Sequence, residues 1–134
     1  MPDLPYEESD ELLQYMDEEK VAFIRFATPT SKNRMTFTLK DATGFVYCVS
    51  SMGVTGNSSQ FYKDIESYLT SVRKYTDKPL AIGFGISTPE DVKRLAPYGD
   101  ALIVGSAIVN KIHETKADKE EVASFIKYLK EGLR

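Results

Sequence analysis

Cysteine and histidine are nearly missing from this chain of 134 residues, which has one of each, Cys48 and His113. A single cysteine cannot close an internal disulfide or build a thiolate metal cluster. A single histidine excludes a histidine-rich metal site. Cys48 lies in an apolar run and reads as a small buried hydrophobe, while His113 reads as the flank of a short helix. Long apolar runs are missing too, since no stretch approaches the roughly 20 residues that span a bilayer. Basic runs are also missing, and the formal net charge is -3. Phosphate backbones are bound by clustered Lys and Arg, so nucleic acid and acidic membranes are not expected partners. The opening MPDLPYEESDELL is acidic and carries no signal-peptide pattern, which makes the cytoplasm the simplest location.

What is present is an ordinary globular balance, 42% hydrophobic and 28% charged, suited to one domain over 1-134 with a core of its own. Four short apolar runs recur: VAFIRFATP from Val21, GFVYCVSS from Gly44, PLAIGFGIS from Pro79 and DALIVGSAIV from Asp100. Each is rich in Val, Ile, Phe or Tyr and ends in Gly, Ser, Thr or Pro, as strands do. Helical patterns lie around them. Leu12, Leu13 and Met16 share one side of EESDELLQYMDEE, and Phe61, Ile65, Tyr68, Leu69 and Val72 recur at helical spacing. Thr88-Pro89-Glu90-Asp91 is a helix start, with a threonine cap, proline at the first position and acids in the first turn. Val122, Phe125, Ile126 and Leu129 mark a last helix. Position calls for a short helix between Ser31 and Asp41, although Thr36 and Thr38 weaken that expectation. The alternation predicts parallel strands with helical crossovers. Half of a (β/α)8 barrel and an open flavodoxin-like sheet both fit it.

In such folds ligands meet the loops at the C-terminal ends of the strands. The second strand runs into Gly53-Val54-Thr55-Gly56 within SSMGVTGNSS, the third into Gly83-Phe84-Gly85-Ile86-Ser87, and the fourth into Gly105-Ser106-Ala107. Glycine lets the backbone come close to a ligand, and a helix start such as SAIVNKIHE favours an anion. Any one such glycine is ordinary turn chemistry, as expected for Gly44 and Gly99. Three glycine loops at one end of consecutive strands point to a phosphate.

GFVYCVSSMGVTG, PLAIGFGISTPEDV and DALIVGSAIV, taken together, resemble the second half of the tryptophan synthase alpha subunit, and PDLPYEES is similar to its segment leaving strand four. The resemblance implies four parallel strands with flanking helices, forming the C-terminal half of a TIM barrel. It implies the lyase reaction of tryptophan biosynthesis, in which indole-3-glycerol phosphate is cleaved to indole and glyceraldehyde 3-phosphate without metal or organic cofactor. It further implies a beta-subunit partner. By motif match, Gly56, Gly83, Gly85, Gly105 and Ser106 would hold the substrate phosphate, with Phe84 lining the pocket. Tyr47 would lie near the indole and glycerol parts, Thr55 would help close the site, and Asp3 would lie near the beta-subunit contact.

The family's catalytic carboxylates lie on barrel strands two and three, which have no counterpart in these residues. Asp10, Glu11, Asp17, Glu18 and Glu19 read as a solvated helix face, and Asp64, Glu66, Glu90 and Asp91 are helical as well. The expectation is therefore a phosphate-binding half that is inactive alone, with Tyr47 and Thr55 in supporting roles. The alternative is a self-associating half-barrel that binds phosphate weakly and catalyses nothing. A half-barrel leaves strand edges and an inner face open. Phe23, Arg25, Val46, Ala81 and Ile103 are the candidates for that face, and a homo-oligomer would cover it. A phospho-receiver module is the weakest reading, because no Asp ends a strand. Arg25 reads as a satisfied core residue rather than a substrate clamp.

Overall fold

The computed structural model describes residues 10–29, 35–39, 42–49, 58–83 and 85–134. The loop SSMGVTG, with Thr55 and Gly56, lies outside the described residues, as do Asp3 and Phe84. Helix α1 (Asp10–Glu18) precedes β1 (Arg25–Ala27), α2 (Met35–Thr38), β2 (Val46–Val49), α3 (Ser58–Arg73) and β3 (Leu80–Gly83). Then come α4 (Pro89–Leu95), β4 (Ala101–Leu102), α5 (Ser106–Glu114) and α6 (Lys119–Lys130). The sheet order is β1-β2-β3-β4, the sequential order of right-handed βα units. Compact packing divides the chain within β3, into a unit up to Ala81 and a unit from Ile82.

In the first unit β1 and β2 pair in parallel, with Arg25 beside Val46, Phe26 beside Tyr47 and Ala27 beside Cys48. The Val46 amide donates to the Pro79 carbonyl at 2.8 Å, which in a parallel ladder sets Val46 level with Leu80. One face of these strands carries Phe23, Arg25, Ala27, Val46 and Cys48, all buried. It is the helix side, because the Cys48 thiol meets the Tyr68 hydroxyl of α3. Ile65, Leu69 and Val72 of α3 are buried with them. Phe23, Arg25 and Val46 therefore do not look inward as the sequence suggests. They pack under the helices, and the opposite face presents Phe26 and Tyr47.

Arg25 sits in that core with its guanidinium 4.1 Å from the centre of the Phe23 ring, a cation–π contact that offsets part of its desolvation. Residues i and i+2 share a strand face, so the same pleat that buries Phe23 buries Arg25. The short α2 forms despite its two threonines. Met35 and Leu39, 0% and 2% exposed, bracket one helical turn, and their burial outweighs the weak propensity of Thr36 and Thr38.

The second unit is built on the same logic. The Ile103 amide donates to the Ile82 carbonyl at 2.8 Å, so Ile103 is level with Gly83 and Leu102 with Ile82. Ile103 thus lies on the face away from the helices, as expected of it. Leu102 turns toward α4 and α6, where it helps line a cavity of about 470 Å³ with Val92 and Leu129. The fourth strand is shorter than its apolar run, because an edge strand has a ladder partner on one side only. Val92, Leu95 and Leu129 form the buried seam between α4 and α6. Asp118 caps α6 by accepting from the Glu120 and Glu121 amides, each at 3.0 Å.

Candidate functional site

The C-terminal ends of β3 and β4 lie next to each other in the second unit, and the expected glycines are there. Gly83 is the last residue of β3 and is half-buried. Gly85 follows at φ +59, and a Cβ placed on it would meet nothing within 4 Å. Glycine at this position is thus explained by the left-handed backbone rather than by lack of room. Ile86 beside it is 2% exposed and anchors the turn. Gly105 and Ser106 are exposed where β4 gives way to α5. The register through Ile103 puts this junction two residues beyond the level of Gly83.

Two helices begin at this end, and their starts differ. The start of α4 is already occupied by its own side chains. The Thr88 hydroxyl accepts from the Asp91 amide at 3.2 Å. The Asp91 carboxylate accepts from the Thr88 amide at 3.0 Å and the Ser87 amide at 3.1 Å, with the Ser87 hydroxyl at 3.3 Å. This reciprocal box engages the amides of Ser87, Thr88 and Asp91, and the proline at the first helical position has no amide hydrogen to offer. Burial of the Asp91 carboxyl pushes its pKa up, but the hydrogen bonds from Ser87 and Thr88 outweigh that and hold it below the usual carboxylate range.

The start of α5 is different. Its cap residue is Gly105, at φ -106 and ψ -82, which supplies no side-chain acceptor. The amides of Ile108 and Val109 both return to the Gly105 carbonyl at 3.0 Å. The amides of Ser106 and Ala107, at the first two helical positions, have no acceptor inside the helix. This nine-residue helix points the positive end of its dipole at the same spot, and the Ser106 hydroxyl stands at its entrance. The arrangement is suited to an oxyanion such as phosphate.

In the first unit, Tyr47 is half-buried on the face away from α3 and stacks on Phe26, with ring centres 5.1 Å apart and planes inclined by 21°. Phe26 was not singled out in the sequence. Its place beside Tyr47 follows from the register, which sequence alone does not give. Thr55, Gly56 and Phe84 fall outside the described residues. A cavity of about 670 Å³ in the first unit lies beside Phe23 and Thr43, at the N-terminal ends of the strands, and involves none of the residues expected to bind phosphate or substrate. Among the described residues no three of His, Cys, Asp and Glu come together as a metal site requires. Among them, too, no helix is long and apolar enough to cross a membrane.

Four parallel strands, each followed by a helix, with glycine turns after β3 and β4, define a segment of a β/α barrel. Comparison with known proteins narrows this class. The family model described as tryptophan synthase alpha chain matches residues 1–133. The tryptophan synthase alpha chain of Thermoanaerobacter pseudethanolicus is 46% identical over 99% of this chain and 52% of its own length. That of Alkaliphilus metalliredigens is 42% identical over 98% and 50%. The structure of tryptophan synthase subunit alpha from Campylobacter jejuni superposes with a TM-score of 0.86 at 31% identity, covering 96% of this chain and 52% of that one. The chain belongs to the tryptophan synthase alpha chain family, and it spans about half the length of the curated relatives it matches.

Proposed function

We propose that these residues supply the phosphate-binding half of a site for indole-3-glycerol phosphate. Gly83 and Gly85, together with the Gly105-Ser106 start of α5, would hold the phosphate, and Gly56 and Phe84 would join them by family likeness. The observation that carries this reading is the contrast between the two helix starts. That of α4 is filled by Asp91, and that of α5 offers amides and a hydroxyl without a side-chain cap. Tyr47, stacked on Phe26, would face the indole and glycerol parts, and Thr55 would close over them. The family's reaction is a retro-aldol cleavage to indole and glyceraldehyde 3-phosphate, which the tryptophan synthase beta subunit, the proposed partner, would draw upon.

General acid–base catalysis needs a carboxylate or imidazole within reach of the proton it moves. Asp91 is committed to its capping box, and Asp64, Glu66 and Glu90 stand exposed on helices. The 134-residue chain is therefore proposed to bind the phosphate end and to lack lyase activity by itself. Titration with glycerol 3-phosphate, followed by amide resonances, tests this directly. Shifts are expected at Gly83, Gly85, Gly105 and Ser106, and loss of binding is expected in Ser106→Glu, which puts a carboxylate at the anion's place. Shifts confined to other residues, or indole release by the chain alone, would overturn the reading.

Self-association is a second reading, favoured by the edge of the second unit. Ala101 is exposed, and Leu102, Ile103 and Val104 are only half-buried, although all are apolar and lie on or just after an edge strand. A homo-oligomer would cover them. Light scattering that gives the monomer mass across a wide concentration range would exclude it.

A further inference from the structure

We propose that Gly132 is a positioning residue for the anion-binding end of the second unit, an inference that rests on the phosphate reading above. After α6 the chain makes a single 3-10 turn, Glu131–Leu133, and this turn presses backbone to backbone on the first residue of α4. A Cβ on Gly132 would run into the Pro89 carbonyl oxygen, with the Val92 Cβ at 2.7 Å and the Pro89 carbonyl carbon at 2.9 Å. Separations under 3.0 Å force something to move, and here the obstacle is mainly backbone rather than the end of a flexible side chain.

Pro89 directly follows Thr88, the cap of α4, and the capping box joins Thr88 to Asp91 and Ser87. A push on Pro89 is therefore transmitted to Ser87, and from there toward Gly85. The turn that carries Gly132 continues a twelve-residue helix whose Leu129 is 4% exposed, and α4 is anchored further along by buried Val92 and Leu95, while its start rests on side-chain hydrogen bonds. A methyl group at position 132 thus displaces the start of α4 and tilts the Gly85 turn out of register with the start of α5. A cradle misplaced by a fraction of an ångström loses about one charge-assisted hydrogen bond to the anion, which is expected to weaken binding by about tenfold.

The test uses the isotopically labelled 134-residue chain and glycerol 3-phosphate as probe. In Gly132→Ala, the Ser87 and Thr88 amide resonances are expected to move in the unliganded protein. The dissociation constant is expected to rise about tenfold while resonances at the start of α5 stay in place. Leu133→Ala, which trims an exposed side chain of the same turn, should alter neither. If Gly132→Ala does not fold, Thr88→Val provides the second probe. It removes the cap hydroxyl without changing charge or size, and should reproduce both the resonance changes and the weakened binding. Unmoved Ser87 and Thr88 resonances with unchanged affinity in the variant would overturn the proposal, even if its melting temperature fell. If the parent chain does not bind glycerol 3-phosphate, the phosphate reading fails. The link from Gly132 to the turn is then decided by the unliganded resonances alone.

Discussion

Replacing Asp91 with alanine removes the acceptor at the centre of the α4 capping box. The carboxylate takes two amide hydrogen bonds of 3.0 and 3.1 Å and a longer hydroxyl contact of 3.3 Å. A hydrogen bond to a buried charge contributes about 1.5–3 kcal/mol, and a neutral one about 0.5–1.5. Asp91 is only half-buried, so water replaces part of what is lost and the lower range applies to the two amide bonds. The expected cost is about 1–2 kcal/mol, in line with the loss of a helix cap. With a urea slope of about 1–3 kcal/mol per molar, the unfolding midpoint should fall by about 0.3–2 M. The pH dependence gives the sharper check. The folded carboxyl lies below its ordinary value, so its stabilisation is complete above the unfolded pKa of about 3.9. It is lost as pH falls through the folded value. The stability gap between the parent chain and Asp91→Ala should therefore be full at pH 7 and narrower at pH 3. A gap as wide at pH 3 as at pH 7, or no gap at pH 7, would refute the claim that an ionised carboxylate holds the box.

Two further outcomes follow from the first unit. Gly44 sits at φ +81, where a Cβ would come within 3.1 Å of Ile24 Cδ1 and 3.2 Å of Ala22 Cβ. Gly44→Ala should cost about 1–3 kcal/mol from left-handed strain and crowding together, read as a lower urea midpoint. The Cys48 thiol is fully buried and pushed up to about 12, chiefly by desolvation against hydrogen bonding with Tyr68. Since the thiolate is the reactive form, an aromatic disulfide reagent at pH 8 should label the chain only after denaturant is added. Prompt labelling of the folded chain would contradict the packing of β2 under α3.

What the sequence shows of this fold depends on how local the cause is. The Thr88 cap and Pro89 are neighbours in the chain, so the start of α4 is legible from four residues, and the box seen in the structure completes it. The helix side of α3 is legible for the same reason, since Ile65, Leu69 and Val72 repeat at helical spacing. The facing of β1 and β2 is not legible. Phe23, Arg25, Ile24 and Phe26 give no alternation, because a strand covered by helices on one side and by a barrel interior on the other is apolar on both. Only the pairing of Ala27 with Cys48, and of Cys48 with Tyr68, decides which residues lie under the helices. The place of Gly132 is hidden for a related reason. Its constraint comes from Pro89, far away in the sequence, and a glycine near a helix end is ordinarily taken for turn chemistry.

The two helix starts also show why glycine motifs alone are weak evidence for a phosphate site. Both follow a strand, both lie beside glycines, and both carry a hydroxyl residue, Thr88 in one and Ser106 in the other. An anion needs donors that are still available, and availability depends on what stands around the first turn. At α4 an aspartate in the first turn returns to the cap and takes the amides for itself, which also sets a negative charge there. At α5 the first turn reads Ser-Ala-Ile-Val, which has no acid to do this, and the cap is a glycine with no side chain to offer. The charge of the first turn therefore separates a helix start that serves its own fold from one that can serve a ligand. Introducing an acid at the third position of α5, as in Ile108→Asp, should convert the second kind into the first and abolish phosphate binding. Retained affinity in that variant, with α5 intact by its amide resonances, would show that the phosphate is held elsewhere.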